Sequence, residues 1–117
     1  MKDKPAHRKN KKEEPWELDI DHTILFVGKK NYTLKYFTNG SFKIYASTLK
    51  RVEEFFRDDE RFIRISKSAL INRQYLIRKE LNQIKMADGK MYQISRRRLK
   101  EVEKKLALKT SKNSKKS

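Results

Sequence analysis

Residues 82–94 read Asn82-Gln83-Ile84-Lys85-Met86-Ala87-Asp88-Gly89-Lys90-Met91-Tyr92-Gln93-Ile94, and the alternation in this stretch points to the fold class. Two runs of alternating apolar and polar residues flank Asp88-Gly89, a pair that tolerates the positive φ of a tight hairpin turn. A loop of three residues, Asp88 to Lys90, sets Ile84, Met86, Tyr92 and Ile94 on one face and Gln83, Lys85 and Gln93 on the other. The same pattern recurs upstream, where Asn31 to Phe37 and Phe42 to Tyr45 flank Thr38-Asn39-Gly40-Ser41. A two-residue loop there would oppose Tyr36 to Lys43 and mix charge into both faces. The loop Asn39 to Ser41 instead groups Tyr32, Leu34, Tyr36, Phe42 and Ile44 against Thr33, Lys35 and Lys43. Two such hairpins predict an antiparallel β framework.

Outward from the hairpins, Leu18, Ile20 and Ile24 to Val27 are short β-prone runs ending at a turn signal, Gly28. Ser47-Thr48 precedes apolar residues at helical spacing, Leu49, Val52, Phe55 and Phe56, and predicts a capped short helix that stops in the charged turn Arg57 to Glu60. Phe62 to Ile65 and Tyr75 to Ile77 are strand-like, while Ser66 to Arg73 carries no single pattern. Leu99, Val102 and Leu106 predict an amphipathic helix over residues 98–108. The expectation is a mainly β fold with short helices and no repeat or βαβ alternation. It occupies residues 18–108, between a basic arm at 1–17 that has little to bury and a Lys-rich tail at 109–117. Trp16 is expected to pack on the first strand.

The chain carries 31 Lys and Arg against 15 Asp and Glu, a formal charge of +16, and this balance favours a polyanionic partner. The ends are not the source: residues 18–99 alone hold 18 basic and 9 acidic groups. With no cysteine there is no disulfide framework, zinc finger or thiol nucleophile. The start has no apolar signal-peptide core and no stretch reaches membrane-span length, so a cytoplasmic protein without a membrane partner is expected. Asp19-Ile20-Asp21-His22 and Asp58-Asp59-Glu60 lack the partners that a metal site or an acid pair needs. No enzyme, cofactor or small-molecule substrate is expected.

Basic residues cluster in three places. Ser95-Arg96-Arg97-Arg98 joins an apolar strand to a helix; each guanidinium offers a planar fork suited to phosphate or a guanine edge. A solvated charge run is the competing reading, weakened because cations at a helix N-terminus oppose the macrodipole. Arg64, Lys67, Arg73, Arg78 and Lys79 lie close in sequence to the polar Ser66, Ser68 and Asn72, equally compatible with an ordinary basic strand face. Lys29, Lys30, Asn31 and Tyr32 combine cations, an amide and a ring, although Tyr32 also fits a core position.

The run Phe62 to Asn72 spells FIRI-x-x-S-x-x-x-N, and Asp88-Gly89 to Arg97 spells DG-x-x-x-x-x-SRR. In this order, with Ile77 between and Ile24 to Tyr32, the Asn39-Gly40 hairpin and the Leu49 helix before, they closely resemble the LytTR DNA-binding domain over residues 18–106. The resemblance implies small stacked antiparallel sheets with a C-terminal helix, whose loops, rather than a recognition helix, enter successive major grooves of double-stranded DNA. It implies base contacts at Tyr32, Lys67 and Arg97. Lys29, Lys30, Asn31, Arg64, Ser66, Ser68, Asn72, Arg73, Ser95, Arg96 and Arg98 become backbone contacts or supports. Where the family commonly has His-Arg this chain has Ser66-Lys67, a point charge in place of a forked donor. Many members follow a phosphorylated receiver domain; here a 15-residue arm precedes the fold, so a stand-alone domain without internal phosphotransfer is expected. The expected function is sequence-specific transcriptional regulation, with a second copy on paired sites. The alternative is general RNA or ribosome association, drawn from charge, Lys-rich ends and aromatics.

Overall fold

The computed structural model describes the backbone of residues 19–116 and side chains through residue 107. The arm and Trp16 lie outside the described residues. Eight strands form two antiparallel sheets among the described residues. The first sheet holds β1 (Thr23–Lys29), β2 (Tyr32–Phe37), β3 (Phe42–Tyr45), β4 (Phe62–Ser66) and β5 (Ala69–Asn72), in the order β3-β2-β1-β5-β4. The second holds β6 (Leu76–Glu80), β7 (Gln83–Met86) and β8 (Met91–Gln93), in that order. Helix α1 (Leu49–Phe55) carries the chain from one edge of the first sheet to the other, and α2 (Leu99–Lys116) follows the second sheet. The fold is the mainly β, two-sheet architecture that the hairpin pattern predicts.

Both hairpins have three-residue loops, each beginning one residue earlier than its sequence reading. Phe37 N donates to Ser41 O at 2.9 Å and Met86 N to Lys90 O at 3.1 Å, so the loops are Thr38 to Gly40 and Ala87 to Gly89. The cause is the third loop position, which turns left-handed: Gly40 has φ 90° and Gly89 φ 81°. Asn39 Oδ1 and Asp88 Oδ1 accept from the amides two residues on, Ser41 and Lys90, which locks the turns. The shift moves the register by two residues and leaves the face assignments intact. Tyr36 pairs with Phe42, and Ile84 with Tyr92.

The first sheet is covered on both faces. On one side Phe26, Phe62 and Leu70 pack under Leu49 and Val52 of α1 and Phe56 just after it. On the other, Leu25, Ile63, Ile65, Ala69 and Ile71 meet Ile84, Met86 and Ile94 of the second sheet and its extension, and Val102 of α2. Thr48 Oγ1 caps α1 by accepting from Arg51 N at 3.3 Å. Helix α2 continues through residues 109–116, beyond the end at residue 108 that the spacing of Leu99, Val102 and Leu106 predicts. Once a helix is nucleated, each further residue adds a backbone bond at little cost.

Burial of the first hairpin departs from its patterning. The Thr33, Lys35 and Phe37 side of β2 is buried, whereas Tyr32, Phe42 and Ile44 on the apolar side remain 54%, 51% and 58% exposed. The second sheet and α2 cover β1, β5 and β4 and leave the β2–β3 margin overhanging. The opposite side receives Lys35, whose Nζ lies 5.1 Å from the Phe37 ring centroid, a cation–π contact. Buried Thr33 donates to Ser47 O at 2.7 Å.

Gly28 does not turn the chain. It sits inside β1 without a positive φ, and a Cβ there would stand 2.8 Å from Leu49 Cβ. The missing side chain lets α1 begin directly on the sheet. Gly28→Ala is expected to lower stability by about 1 to 3 kcal/mol through overpacking, read as a shifted denaturant midpoint with an unchanged slope.

Candidate nucleic-acid interface

The register brings two turns to the same end of the first sheet. Strand β1 runs toward Lys29, and β5 lies antiparallel beside it with Val27 opposite Ala69. Gly28 N donates to Ser68 O at 2.9 Å. The β1–β2 turn, Lys30-Asn31, therefore lies beside the β4–β5 turn, Lys67-Ser68. With strands about 4.8 Å apart, the centres of two turns that are two strands apart are separated by about 10 Å. A third segment joins them because Ser95 N donates to Ile65 O at 2.8 Å, docking the start of the arginine run against the end of β4.

Each segment has a local reason for its shape. Lys29 pairs with Tyr32, and Lys30 between them takes φ 50°, a left-handed backbone rare outside glycine. Tyr32 emerges from this turn exposed, which removes its core reading. In the β4–β5 turn Ser66 Oγ accepts from Ser68 N at 3.2 Å. The Arg64 fork closes the same turn, with Nε donating to Ser66 O at 2.7 Å and NH2 to Lys67 O at 2.8 Å. Segment Ser66 to Arg73, which showed no pattern, is thus a tight turn followed by the buried strand β5. Arg96 to Arg98 form one 3₁₀ turn leading into α2, with Arg98 N bonded to Ser95 O at 3.0 Å. Ser95 Oγ is buried and has no hydrogen-bond partner among the described residues, and Arg98 is half-buried.

The electrostatics separate the basic residues into two groups. Lys29, Lys30, Lys67, Arg96 and Arg97 are exposed and form no ion pair among the described residues. Arg61, Arg73 and Arg78 each lie within ion-pair distance of a carboxylate, on Asp59 and Asp21, Glu60, and Glu80 respectively. Among the described residues no carboxylate pairs with these turn-end cations, the condition for attracting an anion.

Not every sequence candidate belongs there. Asn72 and Arg73 lie at the opposite end of β5. Buried Asn72 donates from Nδ2 to Thr23 O at 2.9 Å and accepts from Gln74 N at 3.0 Å, a supporting role. Arg73 is largely buried; it donates to Lys105 O of α2 at 3.1 Å, and burial pushes its pKa down. Lys79 bonds Glu103 of α2 at 3.0 Å. His22 pairs with Asp19 at 2.6 Å, which raises the imidazole pKa. Among the described residues no helix is long and apolar enough to cross a membrane. One residue absent from the sequence reading is Glu53 of α1, which accepts from Arg64 NH1. The two are 11 residues apart and meet only when α1 crosses the sheet, so no local pattern links them.

Comparison with the curated proteins finds no match. A family model described as the LytTr DNA-binding domain matches residues 16–107, most of the chain and all three turn-end segments. With a β framework that gathers exposed cations at one end of a sheet, the chain belongs to the LytTR family of DNA-binding domains found in transcriptional regulators.

Proposed function

We propose that the chain is a sequence-specific regulator that binds double-stranded DNA by inserting turn residues into the major groove. The observation that carries this reading is the convergence of Lys29 to Tyr32, Lys67-Ser68 and Arg96 to Arg98 at one sheet end. Arg97 reads a base edge with its fork, Lys67 reads guanine or holds phosphate as a point charge, and Tyr32 lays its ring against a base. Lys29, Lys30, Asn31, Ser68, Arg96 and Arg98 grip the backbone, while Ser66, Asn72 and Ser95 hold the frame. The protein is not an enzyme in this reading; it works with DNA in the cytoplasm, and a second copy sits on a paired site.

Selection from random duplex DNA, followed by footprinting in moderate salt, tests this. A recurrent sequence protected from cleavage is expected. Equal affinity for all duplexes, or comparable binding to structured RNA, would count against it.

Lys30→Gly separates stability from binding. Glycine accepts φ 50° without the Cβ penalty, so thermal stability is expected to rise by about 1 kcal/mol. Losing one phosphate contact is expected to weaken specific and random duplexes alike and to flatten the slope of log affinity against log salt by about 0.9. Melting curves and salt titrations check the two signs independently.

A further inference from the structure

We propose that Glu53 is a positioning residue for DNA recognition, acting through Arg64 without touching the duplex; this rests on the reading that the β4–β5 turn presents Lys67 to DNA. Arg64 lies at this end of the first sheet with its side chain only 11% exposed. All three of its nitrogens are engaged: Nε with Ser66 O, NH2 with Lys67 O and NH1 with the Glu53 carboxylate. One carbonyl ends β4 and the other opens the turn, so the fork sets the path on which Lys67 and Ser68 sit.

Two neutral carbonyls are weak competitors for a guanidinium beside a phosphodiester backbone. A phosphate oxygen is charged and offers a bidentate partner. The Glu53 carboxylate supplies the missing charge from the protein side. Fixed on α1, it holds the fork in the plane that reaches both carbonyls. Without it, Arg64 swings toward phosphate, gaining a sequence-independent contact and releasing the turn. Thr48 caps α1 and Phe56 anchors it under Phe26, so the carboxylate stands on a packed element.

This predicts opposite signs for two kinds of binding. Removing an acid near a DNA-binding face should, by charge alone, strengthen binding to every duplex. In Glu53→Gln, affinity for random duplex is expected to hold or rise, with the salt slope steeper by about 0.9 as one more phosphate is engaged. The ratio of preferred-site to random-duplex affinity is expected to fall at least fivefold. Arg64→Lys keeps the charge but lacks the fork, and is expected to lower the same ratio; adding Glu53→Gln to it is expected to lower it no further.

The experiment is a salt series of binding isotherms on a selected duplex and a random one, for the full chain and these three variants, with circular dichroism to confirm folding. Equal losses on both duplexes mean a merely structural role and overturn the proposal. So do fully additive losses in the double variant. If Glu53→Gln fails to fold, the ratio and slope of Arg64→Lys decide. A wild-type preference that Glu53→Gln leaves intact overturns this inference alone. A wild-type chain with no preferred site overturns the proposed function, and this inference with it.

Discussion

Arg97→Ala is expected to remove about 1 to 3 kcal/mol of discrimination at one base position, a factor of roughly 5 to 150 between the preferred site and its single-base variants. The expectation follows from placement. Arg97 is exposed in a 3₁₀ turn anchored at one side by the Ser95 to Ile65 backbone bond and at the other by α2. Its own contribution to folding is unfavourable, since a cation at a helix N-terminus opposes the macrodipole by a few tenths of a kcal/mol. Thermal stability is therefore expected to hold or rise while specificity falls. Affinities measured against a panel of single-base variants check this. Equal loss on preferred and random duplexes would return Arg97 to the backbone-contact group.

Phe26→Ala is expected to cost about 3 to 5 kcal/mol, a large share of the 5 to 15 kcal/mol that holds a typical domain. Phe26 is fully buried in the central strand β1, its ring 5.6 Å from Phe56 and 5.8 Å from Phe62 by centroid. Removing it unseats α1 from the sheet, and with α1 goes the carboxylate of Glu53. The contrasting substitution is Ile44→Thr on the overhanging β3 margin, expected to change stability by no more than about 0.5 kcal/mol. Denaturant titration of both variants checks the pair. Comparable costs would mean that the margin is covered.

These two positions show how far reading the chain reaches. Ile44 and Phe26 are both apolar residues in β-prone runs; alternation assigns Ile44 to the face it shares with Leu34, whereas the unbroken apolar run Ile24 to Val27 assigns Phe26 to none. Alternation reports which residues share a face and is silent on which face another element covers. Hence Lys35, opposite Phe26 in register, is buried, while Phe42 and Ile44 meet solvent. The hairpins were legible because their signals are local: Asn39-Gly40 and Asp88-Gly89 supply a side-chain acceptor followed by a residue free to take positive φ. Even the one-residue displacement of each loop has a local cause, the left-handed third position. The α1 cap at Thr48 and the α2 apolar spacing were legible for the same reason.

The candidate site was legible as three basic stretches and not as one surface. Charge density and side-chain chemistry single out Lys29 to Tyr32, Lys67 and Arg96 to Arg98, and the ordered motifs suffice to suggest the family. Their union depends on pairing between strands far apart in sequence, Val27 with Ala69, and on the bond from Ser95 to Ile65. The same long-range geometry sends Asn72 and Arg73 to the opposite end, although they lie only a few residues from Lys67. Local propensity, turn chemistry and periodicity act between neighbours in the chain, so they specify strands, turns and helix caps directly. Sheet order, the covered face and the pairing of Arg64 with Glu53 arise from contacts between distant segments, which no local pattern encodes.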